Sequence, residues 1–336
     1  MKILHLPVNI SNQSRILVNS LKEKSIEADY LFFYKNRFKY QNKKGILEGK
    51  PKFMRKFYIL KSFIKVIKNY DIFHFHFSRT FFSSNFDLLL LKCFKKKIIM
   101  HFWGDDVRLY SIAQKYNKYL TIFTVDRKRE KKKKKKLKKI CKYVDAVIVA
   151  DAELFNYVKI FSNKIFFLPQ VIKVEEYKVV YPDPKKKKIK IVHAPSFRKI
   201  KGTEIIVKVI NDLKRKYDFE FILLQNTPNR KLLEILTEAD IVIDQILLGT
   251  YGIFSIESMA CGKPVICYIN NYYRKMYPKD LPIISANPDN IKEILEDLIK
   301  DGKKREKIGI RSRKFVENYH NAERVVGKLI NIYSGL

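Results

Sequence analysis

The sequence predicts an α/β protein built from two parallel-sheet domains, on three observations. First, Ile241–Ile269 reads as strand, glycine-bearing loop, short helix and second strand, the unit from which parallel sheets are made. Second, 336 residues are long for one sheet but give each of two domains enough chain to bury a core. Third, regular periodicity stops between Ile165 and Lys188, where Pro182-Asp183-Pro184 and a lysine cluster read as a connection. The predicted division is 1–170, 171–320 and a last helix, 321–336, returning to the first domain.

In chain order, Ile3–Val8 is a strand, Asn9–Ser14 a polar loop, and Ile16, Leu17 and Leu21 mark a helix. Tyr30–Tyr34 reads as a second strand and Lys35–Lys50 as a polar, basic, mobile loop. Lys52–Tyr70 carries Phe53, Phe57, Leu60, Ile64 and Ile67 on one helical face, flanked by Lys56, Lys61, Lys65 and Lys68. Such a helix either packs its stripe on the sheet or lies on an anionic membrane. In the strand Asp71–Phe77, His74 and His76 share one face, and with no third ligand visible no metal site is assigned. They are expected as loop or site lining at the strand's end.

A helix through Leu88–Leu91 leads to the strand Lys97–His101, followed by Phe102-Trp103-Gly104-Asp105-Asp106-Val107-Arg108. Ligands of parallel sheets gather beyond the carboxyl ends of strands, which places His101 and Asp106 at such an end. Trp103, the single tryptophan, can face a sugar ring or pack in the core. Thr121–Val125 and Ala146–Ala150 read as strands bracketing the run Arg127–Lys139. In the second half, strand Ile189–His193 runs into a helix through Arg198-Lys199-Ile200-Lys201-Gly202. Phe221–Leu224 is a strand, Lys231–Thr237 a helix, and Ile241–Ile243 a strand ending in Asp244. The next helix begins near Gly252 and Ile253, where free amide hydrogens attract an anion, and glycines at 249 and 252 allow close backbone approach. Pro282–Ser285 is read as strand, and helices close the chain.

Lys+Arg number 69 against 34 Asp+Glu, a formal charge of +35. That excess suits a polyanionic partner, an anionic membrane surface before nucleic acid, because no nucleic-acid module accompanies it. The joint abundance of Lys, Ile, Asn, Tyr and Phe is equally what an AT-rich coding sequence produces. Cys93, Cys141, Cys261 and Cys267 form no CxxC pair and suit buried thiols in a reducing compartment. Neither a signal peptide nor an apolar run near the ~18 residues of a membrane span is found. The expected location is cytoplasmic, any membrane contact being peripheral.

The stretch from Gly249 to Val265 resembles the donor site of the large retaining family of GT-B glycosyltransferases, the group 1, family 4-like enzymes. Their signature is a glutamate, seven residues, a second glutamate and a small-residue run ending in Gly-x-Pro. Glu257, Ala260, Gly262, Pro264 and Val265 match it, Gly252 matches the glycine within the spacer, and Gly249 stands where the first glutamate belongs. The resemblance implies two Rossmann-like domains facing a cleft. It implies donor contacts from Lys201, Gly202, Gly249, Gly252, Ile253 and Glu257, the last on ribose hydroxyls. Arg198 lies two residues late for the family's arginine. His101 and Asp106 are implied to position sugar and acceptor, and Asp244 is the carboxylate nearest to Gly249 for the missing glutamate's role. The implied activity is metal-independent transfer of a hexosyl-type group from a nucleotide diphosphate sugar to a hydroxyl, with retention. The nucleotide sugar is a substrate, and no cofactor is expected. A lipid-linked saccharide of cell-surface polysaccharide synthesis is the acceptor the charge suggests. A sugar-nucleotide epimerase, and a non-catalytic basic scaffold binding polyanions, are the alternatives.

Overall fold

The structure is a computed structural model, which describes residues 1–34 and 45–336. Of the expected loop Lys35–Lys50, residues 35–44 lie outside the described residues. The chain divides into two compact units. The first comprises Met1–Ile112, Thr124–Val171 and Ala322–Leu336, the second Ala113–Phe123 and Ile172–Asn321.

The first unit is built on a six-stranded sheet, β1 (Ile3–Leu6), β2 (Ala28–Tyr30), β3 (Ile72–His76), β4 (Lys97–Phe102), β5 (Ala146–Val149) and β6 (Ile165–Phe167). The order is β2-β1-β3-β4-β5-β6, and every neighbouring pair is parallel. Four residues of β1 and five of β3 are wholly buried, as in a sheet covered on both faces, and three of them are histidines. The core under one face joins Leu17, Val18 and Leu21 of the helix Gln13–Glu23 to Val325, Val326 and Leu329 of the helix Ala322–Ser334.

The second unit holds β7 (Ile189–His193), β8 (Phe219–Leu223), β9 (Ile241–Ile243) and β10 (Val265–Ile266), parallel in the order β10-β9-β7-β8. Its core packs Val192, Val242 and Val265 against Ile256 and Met259 of the helix Ile253–Ala260 and Phe315 of the helix Gly302–Tyr319. Gly262, at φ 77°, ends the former helix in the left-handed turn that favours glycine.

Several elements differ from expectation. Ile165–Phe167 is not connection but the edge strand β6, its three residues pairing with Val147, Ile148 and Val149. Around Thr121 the β-branched residues form no strand, because Lys118–Ile122 is a 3-10 turn capped by the side chain of Asn117. The strand expected over Tyr30–Tyr34 is Ala28–Tyr30 instead, and Pro282–Ser285 contributes only a single bridge, Ile284 to Ile266. Cys261 and Cys267 are buried, but Cys93 is exposed at the end of the helix Asp87–Cys93. In the helix Arg55–Ile67 the buried residues are Phe63, Val66 and Ile67. Of the expected stripe Ile67 is buried, while the other four residues face outward: Phe53 is 84% exposed, Phe57 59%, Leu60 45% and Ile64 61%. No helix among the described residues is long and apolar enough to cross a membrane.

Candidate functional site

In the second unit, the sequence after β7 makes a tight bend through the helix Arg198–Lys201 and Gly202, at φ 77°, into the helix Thr203–Lys214. His193 anchors the bend. Its Nδ1 lies 2.8 Å from the Ile243 carbonyl, which can only accept, so Nδ1 carries the proton and Nε2 accepts from the Thr203 hydroxyl at 2.9 Å. Burial lowers this histidine to about 4 and keeps it neutral. A Cβ on Gly202 would come within 2.5 Å of the Ile246 side chain, so glycine is what lets the Lys201 turn press against the loop after β9.

That packing brings Lys201 to Asp244. The ammonium donates to Asp244 Oδ1 at 2.5 Å, and Ser255, in the first turn of the helix Ile253–Ala260, donates to Oδ2 at 2.6 Å. Asp244 is 1% exposed and Lys201 12% at the side chain, so the pair is a buried one. Lys201 retains two further N–H donors beyond the one given to Asp244. Arg198 turns away into an exposed pair with Glu204 at 2.8 Å and does not join Lys201.

Gly249 sits at φ 84°, and a Cβ there would lie 2.7 Å from Cβ of Asn270. Two asparagines clamp this loop. Asn117 donates to the carbonyls of Leu247 and Leu248 at 2.7 and 3.1 Å, while the Asn270 amide nitrogen donates to the Gly249 carbonyl at 2.9 Å. There is accordingly no room for the glutamate of the family signature, and Asp244, committed to Lys201 and Ser255, is the carboxylate built into the same loop. Gly252 stands before the helix Ile253–Ala260 with open space where a Cβ would be, and the first-turn amides have no partner one turn earlier. Ile253 begins that helix. Glu257, 2% exposed, accepts from Tyr177 at 3.3 Å and Asn229 at 3.0 Å.

Lys201, Gly202 and Asp244 therefore meet after β7 and β9, and Gly249, Gly252, Ile253 and Glu257 follow in the loop after β9 and the helix it enters. Asn117, Asn270, Tyr177 and Asn229 support them from segments that carry no motif.

In the first unit, His101 is the last but one residue of β4 and stacks on Trp103 at 4.0 Å and 20°. Both its ring nitrogens are buried and, among the described residues, without a partner. Asp106 accepts from the Trp103 and Gly104 amides at 3.1 and 2.8 Å and from Ser78 at 3.3 Å. Burial raises it to about 6 against the pull of those hydrogen bonds. Its oxygens thus order the turn after β4.

His76 is the last residue of β3 and His74 lies two residues before it, and both are fully buried. They are core residues of β3, joined by His5 on β1, and the three offer ligand atoms within 4.8 Å of one another. A shared metal does not fit, because the ring planes lie within 29°, 25° and 12° of parallel and their lone pairs do not converge. The nitrogens are used otherwise. Trp103 Nε1 donates to His76 Nδ1 at 3.2 Å, which leaves the proton of His76 on Nε2, 3.1 Å from His5 Nδ1. His5 Nε2 then donates to the Tyr333 hydroxyl at 2.9 Å, and that hydroxyl donates to His74 Nδ1 at 2.7 Å. The chain runs one way and ends on His74 Nε2, buried with no partner among the described residues. Burial holds His5 at about 3, and it holds His74, His76 and His101 well below the ordinary range, so all four rings are neutral.

Comparison with known proteins gives the same reading of the fold. The sequence pattern of the family "Glycosyl transferases group 1" matches residues 218–315, which include Asp244, Gly249, Gly252 and Glu257. No curated protein matches the sequence. Among solved structures, HepE of Anabaena in complex with UDP and glucose is 13% identical, with all of both chains covered and a TM-score of 0.66. Sucrose-phosphate synthase from Thermosynechococcus elongatus is 14% identical over 100% of this chain and 99% of its own, at a TM-score of 0.70. The lipopolysaccharide outer core galactosyltransferase WaaB, in its apo form, is 12% identical over the whole of both chains, at 0.64. The chain thus has the GT-B glycosyltransferase fold and carries, in residues 218–315 of its second unit, the sequence pattern of the group 1 glycosyl transferases.

Proposed function

We propose that the protein is a retaining, metal-independent glycosyltransferase that takes its sugar from a nucleotide diphosphate donor. The observation that carries this reading is the helix Ile253–Ala260, whose first turn has no side-chain cap and is joined to the Lys201 ammonium through Asp244 and Ser255, with Glu257 one turn further along it. Amides and ammonium supply positive potential for a diphosphate as charge grows on the leaving group, and a carboxylate one turn further suits ribose hydroxyls. In the first unit, His101 offers two hydrogen-bonding nitrogens that no described residue uses. These suit hydroxyl groups of a transferred sugar, with Asp106 holding the turn beside it. HepE has been crystallised with UDP and with UDP-glucose, which makes a uridine nucleotide the first donor to test.

For the acceptor we favour a lipid-linked saccharide. Phe53, Phe57, Leu60 and Ile64 form an exposed stripe at helical spacing, flanked by Lys56, Lys61, Lys65 and Lys68. A stripe of that kind buries its apolar side chains among acyl chains while each nearby lysine gains ~1 kcal/mol from an anionic surface. The protein would then work at the inner face of a membrane without spanning it.

The second reading, a basic scaffold that binds polyanions without chemistry, draws on Gly249, whose place has no room for a carboxylate, and on the neutralisation of Lys201 by Asp244. Calorimetry with UDP, GDP, ADP and CMP, on the parent and on Glu257→Ala, separates the two. Binding of one nucleoside diphosphate that weakens at least tenfold in the variant upholds the transferase. A folded protein that binds none of them leaves the scaffold.

A further inference from the structure

The first unit contains a second feature that the donor chemistry does not use. A cavity of about 790 Å³ opens beyond the carboxyl ends of β1 and β3. Its apolar wall is made by Phe57 and Leu60 of the helix Arg55–Ile67 and by Phe81, Phe82 and Phe86 of the loop after β3. Its charged groups are Lys56, Arg79 and Lys136, and among the described residues no carboxylate lines it. Arg79 and Lys136 form no ion pair among the described residues and stand near each other. Burial, and then the charge of Arg79, hold the Lys136 ammonium below its usual range. The carboxylate whose charge acts on Lys136 is Asp106, and its oxygens are taken by the Trp103 and Gly104 amides and by Ser78.

The wall is preformed. Phe77, Ser78 and Asn85 hold φ of 61°, 50° and 57°, which side-chain-bearing residues keep only when their surroundings fix them. The fixing groups are present. Asp87 accepts from Thr80 Oγ1 and from the Phe81 amide, each at 2.9 Å, and Asn85 donates to Thr80 Oγ1 at 2.9 Å. Phe82 and Phe86 stack at 4.6 Å, and Phe63 meets Phe81 edge-on at 5.1 Å. A rigid apolar hollow with adjacent unpaired cations fits an amphiphile whose anionic end adjoins its chain. Phe57 and Leu60 belong both to this wall and to the exposed stripe, so the hollow is continuous with the surface on which such a molecule would arrive.

We propose that this cavity binds the phosphate end of a long-chain lipid phosphate, the chain against Phe57, Leu60, Phe81, Phe82 and Phe86 and the phosphate held by Arg79 and Lys136. The inference deepens the transferase reading and rests on it for its purpose, because the lipid phosphate is then the anchor of the acceptor. The test is calorimetry of the full chain with decyl phosphate below its critical micelle concentration, beside inorganic phosphate and decyl maltoside.

Decyl phosphate is expected to bind once per chain, at least tenfold more tightly than either control, and at least tenfold more weakly to Arg79→Ala/Lys136→Ala. Phe53→Ser/Ile64→Ser, outside the cavity, is expected to bind it as the parent does. Equal affinity for decyl maltoside would reduce the site to a greasy hollow, and equal affinity for inorganic phosphate to a phosphate site. Either result overturns the proposal, as does an unchanged double alanine variant or loss of binding in the stripe variant. UDP calorimetry on the same samples tells the two failures apart. UDP bound without decyl phosphate overturns the cavity alone, whereas decyl phosphate bound by a chain that takes no nucleotide upholds the cavity and overturns the transferase.

Discussion

Replacing His101 by phenylalanine should make the first unit more stable, and increasingly so as pH falls. Both imidazole nitrogens are buried without partners among the described residues, and leaving such a polar atom dry costs about 1–3 kcal/mol. Phenylalanine fills nearly the same space and can keep the stack on Trp103 at 4.0 Å. A gain of about 1–3 kcal/mol at pH 7.5 is therefore expected. On acidification, the unfolded chain protonates this histidine near pH 6.5, while the folded chain, by burial, does not. The unfolded state then binds the extra proton, and stability falls as pH drops below 6.5. Each pH unit below that value adds about 1.4 kcal/mol to the variant's advantage, about 2 kcal/mol at pH 5.

Asp87 and Asp106, raised to about 6 by burial, work in the opposite sense, because the folded state takes up their protons first. They are common to both chains and cancel in the difference between parent and variant. Trp103 is the single tryptophan and lies in the first unit, so its fluorescence during urea unfolding reports that unit alone. A parent-to-variant difference that stays constant between pH 7.5 and 5 would refute the neutral, dry imidazole. A variant less stable than the parent at pH 7.5 would show that the ring nitrogens have partners.

Further outcomes follow from the second unit and the surface. Lys201→Ala leaves the Asp244 carboxylate buried with Ser255 as its remaining partner, and should destabilise the second unit by about 3–5 kcal/mol in chemical unfolding, most of it recovered in Lys201→Ala/Asp244→Ala. Gly249→Glu forces a side chain into a left-handed backbone, at about 1–2 kcal/mol, and against Asn270, at about 1–3 kcal/mol more. It should lower the melting temperature without raising transfer activity, and a stable, more active variant would contradict the packing described for that loop. Phe53→Ser/Ile64→Ser should cut association with vesicles containing anionic lipid at least tenfold at physiological salt, measured by sedimentation, since each lost apolar side chain is worth about 1.5–3 kcal/mol when buried.

The donor loop was legible because its residues lie in one short stretch, where strand, glycine turn and helix start follow each other and spacing alone places Gly249, Gly252 and Glu257. What supports that loop was not. Asn117 reaches Leu247 from 130 residues away, and a single asparagine carries no local signal of such a contact. The same limit hid His5. His74 and His76 declare a shared face by their two-residue period, but only the β1–β3 register, which sets His5 opposite His74, turns that face into a hydrogen-bonded core. Periodicity also fixes a stripe without its direction. The helix Arg55–Ile67 and the 3-10 turn Lys52–Met54 before it offer two apolar faces, Phe53-Phe57-Leu60-Ile64 and Phe63-Val66-Ile67. The second is the face that is buried, and nothing in the spacing of either ranks them. The face left outside is the one with lysines along its flanks, and it continues into the hollow that holds Arg79 and Lys136. An apolar stripe that folding does not bury, bordered throughout by one sign of charge, is thus more than composition requires. An AT-rich coding sequence accounts for many lysines and phenylalanines, but not for sorting both onto one exposed helix face and the cavity beside it. The vesicle and decyl phosphate measurements are the two places where that sorting becomes a measurable affinity.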